Sequence, residues 1–445
     1  MLFILILFLV IAVMIAVSTN DDTFSPAKFY LVFFALFHAG AVSGDVETAV
    51  LFLMALPLFI GLILTVSEGS AIQSAAPLPR ALPQDRGESE GLRYAAVIWI
   101  LSVPGVFAQL YMIAELGGLA GYINSLGSRV VDWQGFGWAR TLSFFLSPLN
   151  VAYLAIGLAR RRNARWWLLF ALHLMLVLQI GFLSGSRSGM LNIVALLVIT
   201  FHYVRRSVPM VAAGGLVAVL IASSSLLGVA RQGLRLNDGQ LTSGLSNTTE
   251  TFNFASFNYG VDPLERIVAM PDLILAQGST FLSLFTNFIP RTLYPEKPDT
   301  GGVFFTIEYA GNAWEGFSNL TPTFMGEWII NFGWLPGILG FVFVYTAIIL
   351  FVLRLYRRVI RAPRRSSDIR YALDVALYVH LLWASVGLMI GEVTNVVLGF
   401  VLNQLAPLLV LRFIILAMEQ RHAIASPPYS ERFGRTGRSA KGAYR

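Results

Sequence analysis

Long apolar stretches constrain the fold of this chain more than any other feature of its sequence. A helix that crosses a membrane needs about 20 mainly apolar residues, and eleven stretches of the 445-residue chain reach or approach that length. Only 13% of the residues are charged, about half the share found in soluble domains. We therefore predict an all-α polytopic membrane protein and exclude a soluble enzyme and a nucleic-acid-binding domain. The predicted spans are residues 1–17, 28–43, 48–66, 94–114, 142–159, 166–184, 189–204, 209–230, 335–353, 371–390 and 394–417.

The distribution of arginine predicts which way the spans run. The formal charge is +7, and basic residues cluster in alternate loops, between spans five and six, seven and eight, nine and ten, and in the tail at 419–445. Because short basic loops stay in the cytoplasm, these loops and the C-terminus are predicted to be cytoplasmic. A polar, proline-rich linker at 67–93 falls on the same side, whereas residues 115–141, 185–188 and 231–334 face outward.

The longest connection, residues 231–334, lies between spans eight and nine. Loops longer than about 15 residues are usually functional or contain structure of their own. This loop is rich in aromatic residues, contains no histidine, and holds five basic against ten acidic residues. Its stretch at 273–289 is apolar enough to lie at a membrane surface. We predict a folded lid that contains one or two interfacial helices.

The residue types present argue against metal and cofactor chemistry. The chain has no cysteine, which excludes disulfides, thiolate catalysis and Cys-type zinc sites. It shows no His-x-x-x-His or Asp-x-Asp spacing, and neither a phosphate-binding P-loop nor a dinucleotide-binding fingerprint. We therefore predict a protein that works without a metal ion or a cofactor.

The tight turn between spans six and seven is the first candidate site. It reads Gly-Ser-Arg-Ser-Gly at 185–189. Glycine and serine leave backbone N–H groups free for an anion, and the guanidinium of Arg187, beside Ser186, suits a phosphate or diphosphate. The alternative is a capped turn whose arginine reaches lipid head groups.

Two more arginines follow span eight. Arg231 and Arg235 are four residues apart, which places both on one helical face if the helix continues. Together with Arg187 they could surround one diphosphate. Anchoring of the span at the membrane interface is the alternative interpretation.

The outer loop offers a third set of candidates for substrate binding. Its proline-rich segment at 290–298 holds Arg291, Tyr294 and Lys297. Two basic groups and an aromatic ring in a rigid turn suit a sugar or a phosphate, whereas a purely structural turn is the alternative. Arg266 is a further basic residue of the same loop.

The candidate general base is Glu327, which lies shortly before span nine. A partly buried glutamate has a raised pKa and can accept a proton, whereas a hydrogen-bonded glutamate at a helix terminus is the alternative. His380 and Glu392 are weaker candidates at span ten, because ionisable groups inside a membrane are often functional. For His380 a bond to a neighbouring helix is the alternative.

Two stretches, GFLSGSRSGMLNIVALLV at 181–198 and SNLTPTFMGEWIINFGWLPGILG at 318–340, resemble segments of the oligosaccharide repeat-unit polymerases, also called Wzy-type O-antigen polymerases. The resemblance implies a GT-C-like glycosyltransferase of the bacterial inner membrane. Such an enzyme joins undecaprenyl diphosphate-linked oligosaccharides at the periplasmic face into O-antigen, capsule or exopolysaccharide, without a metal. It also implies membrane lipid and a chain-length regulator as partners, and no nucleic acid.

The resemblance also suggests roles for the candidates. A sugar hydroxyl of one repeat unit attacks the anomeric carbon of another chain, and undecaprenyl diphosphate leaves. Without a metal, fixed cations must stabilise the departing charge, and we expect Arg187, Arg231 and Arg235 to do so, with Arg291 in reserve. We expect Glu327 to accept the hydroxyl proton.

Two other functions stay open at this point. O-antigen ligases typically carry a histidine in the large periplasmic loop, and its absence here favours a polymerase over a ligase or another lipid-linked glycan transferase. A transporter or flippase without catalysis is the second alternative. Transporters often show paired repeats and broken helices that meet at the midplane; the sequence shows neither, and its charged candidates gather at the outer face.

Overall fold

The chain folds almost entirely into helices. The computed structural model describes residues 10, 11, 14, 22–42, 45–73, 88–126, 128–160, 162–184, 187–232, 235–237, 240–242, 259–287, 289, 293–311, 320–361 and 368–425. In this part of the chain the only strands are β1 (Arg235–Asn237) and β2 (Gln240–Thr242), which pair antiparallel with Arg235 opposite Thr242.

The helices follow the apolar stretches and the outer loop. They are α1 (Pro26–Phe37), α2 (Thr48–Gln73), α3 (Glu88–Glu115), α4 (Gly118–Asn124), α5 (Arg129–Asp132), α6 (Gly137–Ser143), α7 (Leu146–Ala159), α8 (Ala164–Leu183), α9 (Arg187–Val204), α10 (Met210–Gln232), α11 (Asp262–Val268), α12 (Ser279–Thr286), α13 (Gly301–Glu308), α14 (Thr323–Phe332), α15 (Trp334–Arg361), α16 (Ile369–Gly387), α17 (Val393–Leu398) and α18 (Ala406–Ala425). A short 3-10 helix follows α1 at Ala39–Val42, and a π-helix at Gly399–Leu405 joins α17 to α18.

Within the described residues, seven helical segments are long and apolar enough to cross a membrane. They are Thr48–Glu68, Glu90–Glu115, Gly137–Ala159, Ala164–Leu183, Trp334–Arg361, Ile369–Gly387 and Val393–Arg421. Shorter apolar helices at Pro26–Phe37, Gly189–Val204 and Met210–Ser223 coincide with three further predicted spans. The prediction of a multi-pass helical membrane protein is confirmed. The count of eleven stays a prediction, because residues 1–17 lie almost wholly outside the described part.

Two of the seven segments form the centre of the bundle. Burial covers 72% of the apolar window in α16 and 67% in the segment of α6 and α7, against 39% or less in the other five. Helix α7 packs against α3, α8, α9 and α16. The outer helices expose large apolar side chains such as Phe343, Leu335 and Phe413. An apolar surface of this kind is stable against lipid and not against water.

The helix ends next to the predicted cytoplasmic loops meet at one end of the bundle, which we call the basic end. Arg160, which follows α7, forms ion pairs with Glu90 at the start of α3 (2.7 Å) and with Glu419 near the end of α18 (3.2 Å). At the same end, Arg357 of α15 donates to the carbonyl of Ser67 in α2 (3.4 Å). The short helices α11 to α14 lie at the opposite end, where the N–H of Gly260 donates to the carbonyl of Phe37 at the end of α1 (3.1 Å); we call it the loop end.

Two predicted loops contain more helix than expected. Helix α2 continues to Gln73 and α3 begins at Glu88, so helix replaces part of the linker predicted at 67–93. The described part of the outer loop predicted at 231–334 contains four short helices, α11 to α14, and the number that lie at the membrane interface stays a prediction. None of the four exceeds ten residues, and such short helices leave little periodic signal in a sequence.

Helix α12 has its polar side chains inside and its apolar side chains outside. Thr280 and Ser283 are buried, whereas Leu282 is 57% and Phe285 is 68% exposed. A helix at a water-facing surface has the reverse arrangement. The exposed face of α12 therefore suits the membrane-surface position predicted for residues 273–289.

A buried carboxylate joins three elements at the basic end. Asp22 precedes α1, and its Oδ1 accepts from Nε2 of His202 at the end of α9 (2.7 Å). Its Oδ2 accepts from the hydroxyl of Tyr356 in α15 (3.0 Å). The Nδ1 atom of His202 accepts from the N–H of Val208 (3.0 Å), which leaves the ring proton on Nε2, where Asp22 needs it.

We expect Asp22→Ala to destabilise the protein by about 3 kcal/mol, because it leaves three buried donors, on Phe24, His202 and Tyr356, without an acceptor. Thermal unfolding of the purified chain in detergent measures the effect. Asp45, which is exposed at the loop end, provides the control, and Asp45→Ala should leave the midpoint unchanged. Equal midpoints for both variants would show that the Asp22 contacts contribute little.

Candidate functional site

Helix α14 folds back along the first turns of α15. Gly333 joins the two helices with a φ of 81°, a left-handed conformation that favours glycine. Gly337 of α15 lies so close to the carbonyl of Trp328 that a Cβ would collide with it. Phe324, at the start of α14, packs against Tyr345 of α15 with ring centroids 5.6 Å apart. Helix α14 is therefore enclosed in the bundle beside a span.

Helix α16 ends at the depth of the middle of α15, several turns before α15 reaches its own end at the loop end. The hydroxyl of Tyr345 donates to the carbonyl of Ser385 (2.9 Å), and the N–H of Phe324 donates to the carbonyl of Leu388 (3.2 Å). Because Tyr345 lies about three turns into α15, the chain leaves α16 and starts α17 at about that depth. Irregular backbone at membrane depth is tolerated only where protein covers it, and here α12, α13 and α14 provide the cover.

The enclosure contains two carboxylates, Glu327 of α14 and Glu392 at the N-cap of α17. Both side chains are fully buried, and they are close enough for their charges to repel each other. We call them the carboxylate pair. A carboxylate in such a place must be hydrogen-bonded or protonated to be stable.

Each carboxylate is bound by the N-terminus of a helix that comes from another part of the chain. The N–H of Val393, the first residue of α17, donates to Oε2 of Glu327 (2.6 Å). The N–H of Gly302, near the start of α13, donates to Oε2 of Glu392, and the side-chain amide of Asn395 donates to its Oε1. Helix N-termini carry a partial positive charge, so both helices favour negative charge at this place.

A network of neutral polar groups completes the setting of Glu327. The hydroxyl of Thr280 donates to its Oε1 (2.9 Å), and Thr280 in turn accepts from the side-chain amide of Asn331 (2.7 Å). The hydroxyls of Ser283 and Thr394 lie 2.7 Å apart, and Thr394 donates to the carbonyl of Thr280 (3.3 Å). The polar side of α12 therefore faces the carboxylate pair, which explains its inverted surface.

The pair holds its protons more tightly than ordinary glutamates. Burial raises the pKa of Glu327 to about 7, and the charge of Glu392 adds to the rise, whereas the bonds from Val393 and Thr280 oppose it. Burial also raises the pKa of Glu392, against the hydrogen bonds from Gly302, Thr300 and Asn395. At neutral pH Glu327 therefore exchanges between its protonated and ionised forms.

The backbone around Glu327 is tightly packed and strained. A Cβ on Gly301 would collide with the Glu327 carboxylate, so a larger residue there would displace the carboxylate. Thr323, one turn before Glu327, has a φ of 66°, which is rare for a β-branched residue. Strained residues collect at functional sites, and this one begins the helix that carries the candidate base.

The predicted anion site at 185–189 also lies at a close contact, which here is between two helices. A Cβ on Gly189 would lie 2.8 Å from the carbonyl oxygen of Gly181, so glycine lets α8 and α9 approach each other. The hydroxyl of Ser184 donates to the same carbonyl (2.7 Å), and Tyr122 of α4 donates to the carbonyl of Leu183 (3.0 Å). Helix α4 thus packs beside this turn.

The backbones of the predicted diphosphate-binding arginines lie around the same turn. Arg187 is the first residue of α9, Arg231 lies in the last turn of α10, and Arg235 begins β1, which packs against α4. Their side chains lie outside the described part of the structure, so the convergence of the three guanidiniums stays a prediction. The condition under which Arg231 and Arg235 would share a helical face is not met, because α10 ends at Gln232.

The other predicted substrate-binding residues are placed as follows. Arg266 is exposed on α11, and Tyr294 is exposed in the segment between α12 and α13. The ammonium of Lys297 donates to two backbone carbonyls that follow α12 (2.9 and 3.2 Å), so it holds this segment together. Ser186 and Arg291 lie outside the described residues.

Several groups at the site were not singled out by sequence reasoning. Thr280 and Asn331 position Glu327, and their only signal is a polar residue in an apolar stretch. Arg140 of α6 lies over the ring of Trp133, 5.6 Å from its centroid, and α6 packs against the π-helix that follows α17. His380, in contrast, lies within α16, and its Nε2 has no hydrogen-bond partner among the described residues.

Known proteins give no indication of the function of this chain, so the functional interpretation rests on the geometry of the site. The chain matches no protein-family model, no curated protein and no solved structure. Among the described residues no group of three or more His, Asp or Glu side chains is suited to a metal ion. The carboxylate pair and the arginine-bearing turn are therefore the two features on which a functional interpretation can be built.

The raised pKa of Glu327 predicts how stability depends on pH. The folded chain retains this proton between pH 4.5, the ordinary value, and about 7, where the unfolded chain has released it. The contribution of Glu327 to stability, about 3 kcal/mol, is therefore fully present below pH 4.5 and is lost as the pH rises through 7. Thermal unfolding in detergent from pH 4.5 to 8 should show this decline.

The variant Glu327→Gln should lose most of that decline, because it has no proton to release. Glu308, which is exposed at the end of α13, provides the matched control, and Glu308→Gln should keep the wild-type slope. A Glu327→Gln protein whose midpoint falls with pH as steeply as the wild type would contradict the assignment.

Proposed function

We propose that the chain is a glycosyltransferase of the bacterial inner membrane, which joins undecaprenyl diphosphate-linked oligosaccharide units into O-antigen, capsule or exopolysaccharide. The observation that supports this most directly is the carboxylate pair, in which burial raises the pKa of Glu327 to about 7. A general base is most effective when its pKa is close to the working pH. The positive-inside rule would place the basic end in the cytoplasm and the pair on the periplasmic side.

In the proposed reaction the non-reducing hydroxyl of one repeat unit attacks the anomeric carbon of a second, lipid-linked chain. A carbon–oxygen bond forms there as the bond from that carbon to the diphosphate oxygen breaks, and the electron pair leaves with undecaprenyl diphosphate. Glu327 accepts the hydroxyl proton. The negative charge of its neighbour Glu392 raises the pKa of Glu327. Glu392 therefore influences the reaction through Glu327 and does not touch the substrate.

The structure describes the pair in a closed arrangement. Both oxygens of Glu327 already accept hydrogen bonds, from Val393 and Thr280, and Gly301 lies against the carboxylate. For catalysis, the acceptor hydroxyl would take the place of the Thr280 hydroxyl on Oε1. The proposal therefore includes a displacement of α12 and α13 when the sugar binds.

The departing diphosphate would be held by Arg187, Arg231 and Arg235 at the turn beside α4. Guanidinium groups bind phosphate through paired hydrogen bonds and stabilise charge as it develops. The proposal requires the carboxylate pair to lie near this region. The π-helix that follows α17 packs against α6, and α6 and α4 both pack against α3, which supports this placement. Base and cations would then act on opposite sides of one anomeric carbon.

A groove between α8 and α9 would take the polyprenyl tail. It has a volume of about 290 Å³, and apolar side chains alone line it: Leu174, Leu178, Val194, Leu197, Val198 and Phe201. The two helices are those joined by the turn at 185–189, and the groove begins about two helical turns along α9 from Arg187. A lipid tail in the groove would therefore lead towards a diphosphate at the turn.

A proton-coupled transporter is the second candidate. The chain breaks between α16 and α17, and the N-termini of two short helices point at buried carboxylates. Discontinuous helices and intramembrane acids of this kind are frequent in transporters. Glycan analysis separates the two functions, because a polymerase defect leaves single units attached, whereas a transport defect removes every unit.

We expect deletion of the gene to remove the long-chain ladder in glycan electrophoresis and to leave one attached repeat unit. Re-expression of Glu327→Gln should not restore the ladder, because the amide cannot accept the proton. The exposed Glu308→Gln should restore it fully at equal membrane abundance. A normal ladder with Glu327→Gln would exclude this residue as the base, and loss of all attached units would favour transport.

Arg187 provides a separate test of the cation site. Arg187→Ala should abolish polymer while the protein remains in the membrane, and Arg187→Lys should restore only part of the activity, because an ammonium cannot bind phosphate through a planar pair of donors. Arg205→Ala offers a comparison at an exposed arginine of the basic end, which has no role in the proposed reaction. Wild-type chain lengths in Arg187→Ala would remove this residue from the site.

A further inference from the structure

The basic end of α15 carries a cavity that the proposed reaction does not use. Its volume is about 480 Å³, and four arginines and two apolar residues line it: Phe351, Arg354, Leu355, Arg357, Arg358 and Arg361. We call it the arginine groove. Of these side chains, Phe351 is 54% exposed, so the groove opens on the outer surface of the bundle.

The length of α15 places this groove at the level of the lipid head groups. The helix has 28 residues and is about 42 Å long, whereas the hydrocarbon core of a bilayer is about 30 Å thick. Trp334, at the other end, is the residue type that prefers a membrane interface. With Trp334 at one interface, Phe351 falls among the acyl chains of the other leaflet and Arg354 to Arg361 fall at its phosphates.

The arginines of the groove have too few carboxylates nearby. Arg358 pairs with Asp374 of α16 (2.9 Å), but Asp374 also binds Arg412. Arg357 reaches only a backbone carbonyl, and its buried Nε has no hydrogen-bond partner among the described residues. Arg354 and Arg361 form no ion pair with any described residue. The groove therefore holds surplus positive charge.

The rest of the basic end does not supply the missing charge. Its other described acids already have partners: Asp22 binds His202, Glu90 and Glu419 bind Arg160, Glu68 binds the N–H of Ala27, and Asp368 caps α16. The segments 74–87, 362–367 and 426–445, which join this end, each contain more basic than acidic residues. Within the described part of the chain no carboxylate is left to neutralise the groove, so it is suited to an anion from outside the chain.

We propose that the arginine groove binds the head group of an anionic phospholipid, with the acyl chains against Phe351 and Leu355. Guanidinium groups match a phosphate with paired donors, and basic pockets beside transmembrane helices hold anionic head groups. A soluble anion would need the arginines but not the apolar residues that line the same groove. The lipid and the glycosyl transfer are independent, since the groove and the carboxylate pair lie at opposite ends.

Native mass spectrometry of the full chain released from nanodiscs tests the proposal. The discs contain phosphatidylcholine with an equal share of phosphatidylglycerol, and the bound lipids are counted by mass. The groove variant is Arg354→Gln with Arg361→Gln, two exposed positions, and the matched control is Arg165→Gln with Arg206→Gln, two exposed arginines of the same end. Both variants lose the same charge, and a thermal midpoint equal to wild type verifies folding.

The wild type and the control should retain phosphatidylglycerol in preference to phosphatidylcholine, and the groove variant should bind it about thirtyfold more weakly. Arg354→Lys with Arg361→Lys should bind with intermediate strength, because charge remains while the paired donors are lost. Equal retention of both lipids, equal loss in both glutamine variants, or displacement of the lipid by millimolar inorganic phosphate would overturn the proposal. The last result would indicate a soluble anion.

Discussion

The structure depends on one constraint, which is that a polar group at membrane depth must find its partner inside the protein. Water is absent there, and an unpaired donor or charge costs several kcal/mol. Glu327 and Glu392 meet this requirement through the N-termini of α17 and α13 and through neighbouring hydroxyl and amide groups. This constraint explains why α13 and α17 begin near the loop end. The start of each helix supplies a free backbone N–H group to one of the two carboxylates.

The same arrangement links protonation to packing. Four separate elements, α12, α13, α14 and α17, contact the carboxylate pair, so a change in its charge alters the interactions that hold them together. Burial and mutual repulsion keep the pKa of Glu327 about 7, within the range of ordinary cellular conditions. A substrate that reaches this carboxylate must separate α12 or α13 from it, and binding would then be coupled to the release or uptake of a proton.

The two ends of the bundle differ in the sign of the charge that the fold must accommodate. At the loop end, Glu327 and Glu392 are buried and stabilised by helix termini, polar side chains and protonation. At the basic end, the acids are saturated by Arg160, His202 and Arg412, and arginines remain in surplus along α15. This asymmetry supports a fixed orientation in the membrane, and it makes the lipid of one leaflet the natural source of the missing negative charge.

The sequence by itself determined that this is a multi-pass helical membrane protein, where most spans lie, and that basic loops alternate with others, because apolar length and loop charge are local properties that add up along the chain. It also pointed to Glu327, through a carboxylate next to a span. Only the tertiary structure brought Glu392 beside it, enclosed α14 in the bundle, broke the chain between α16 and α17 and ended α10 before Arg235. These features result from contacts between residues far apart in the chain, such as Gly302 with Glu392, and no local pattern encodes the choice of partner.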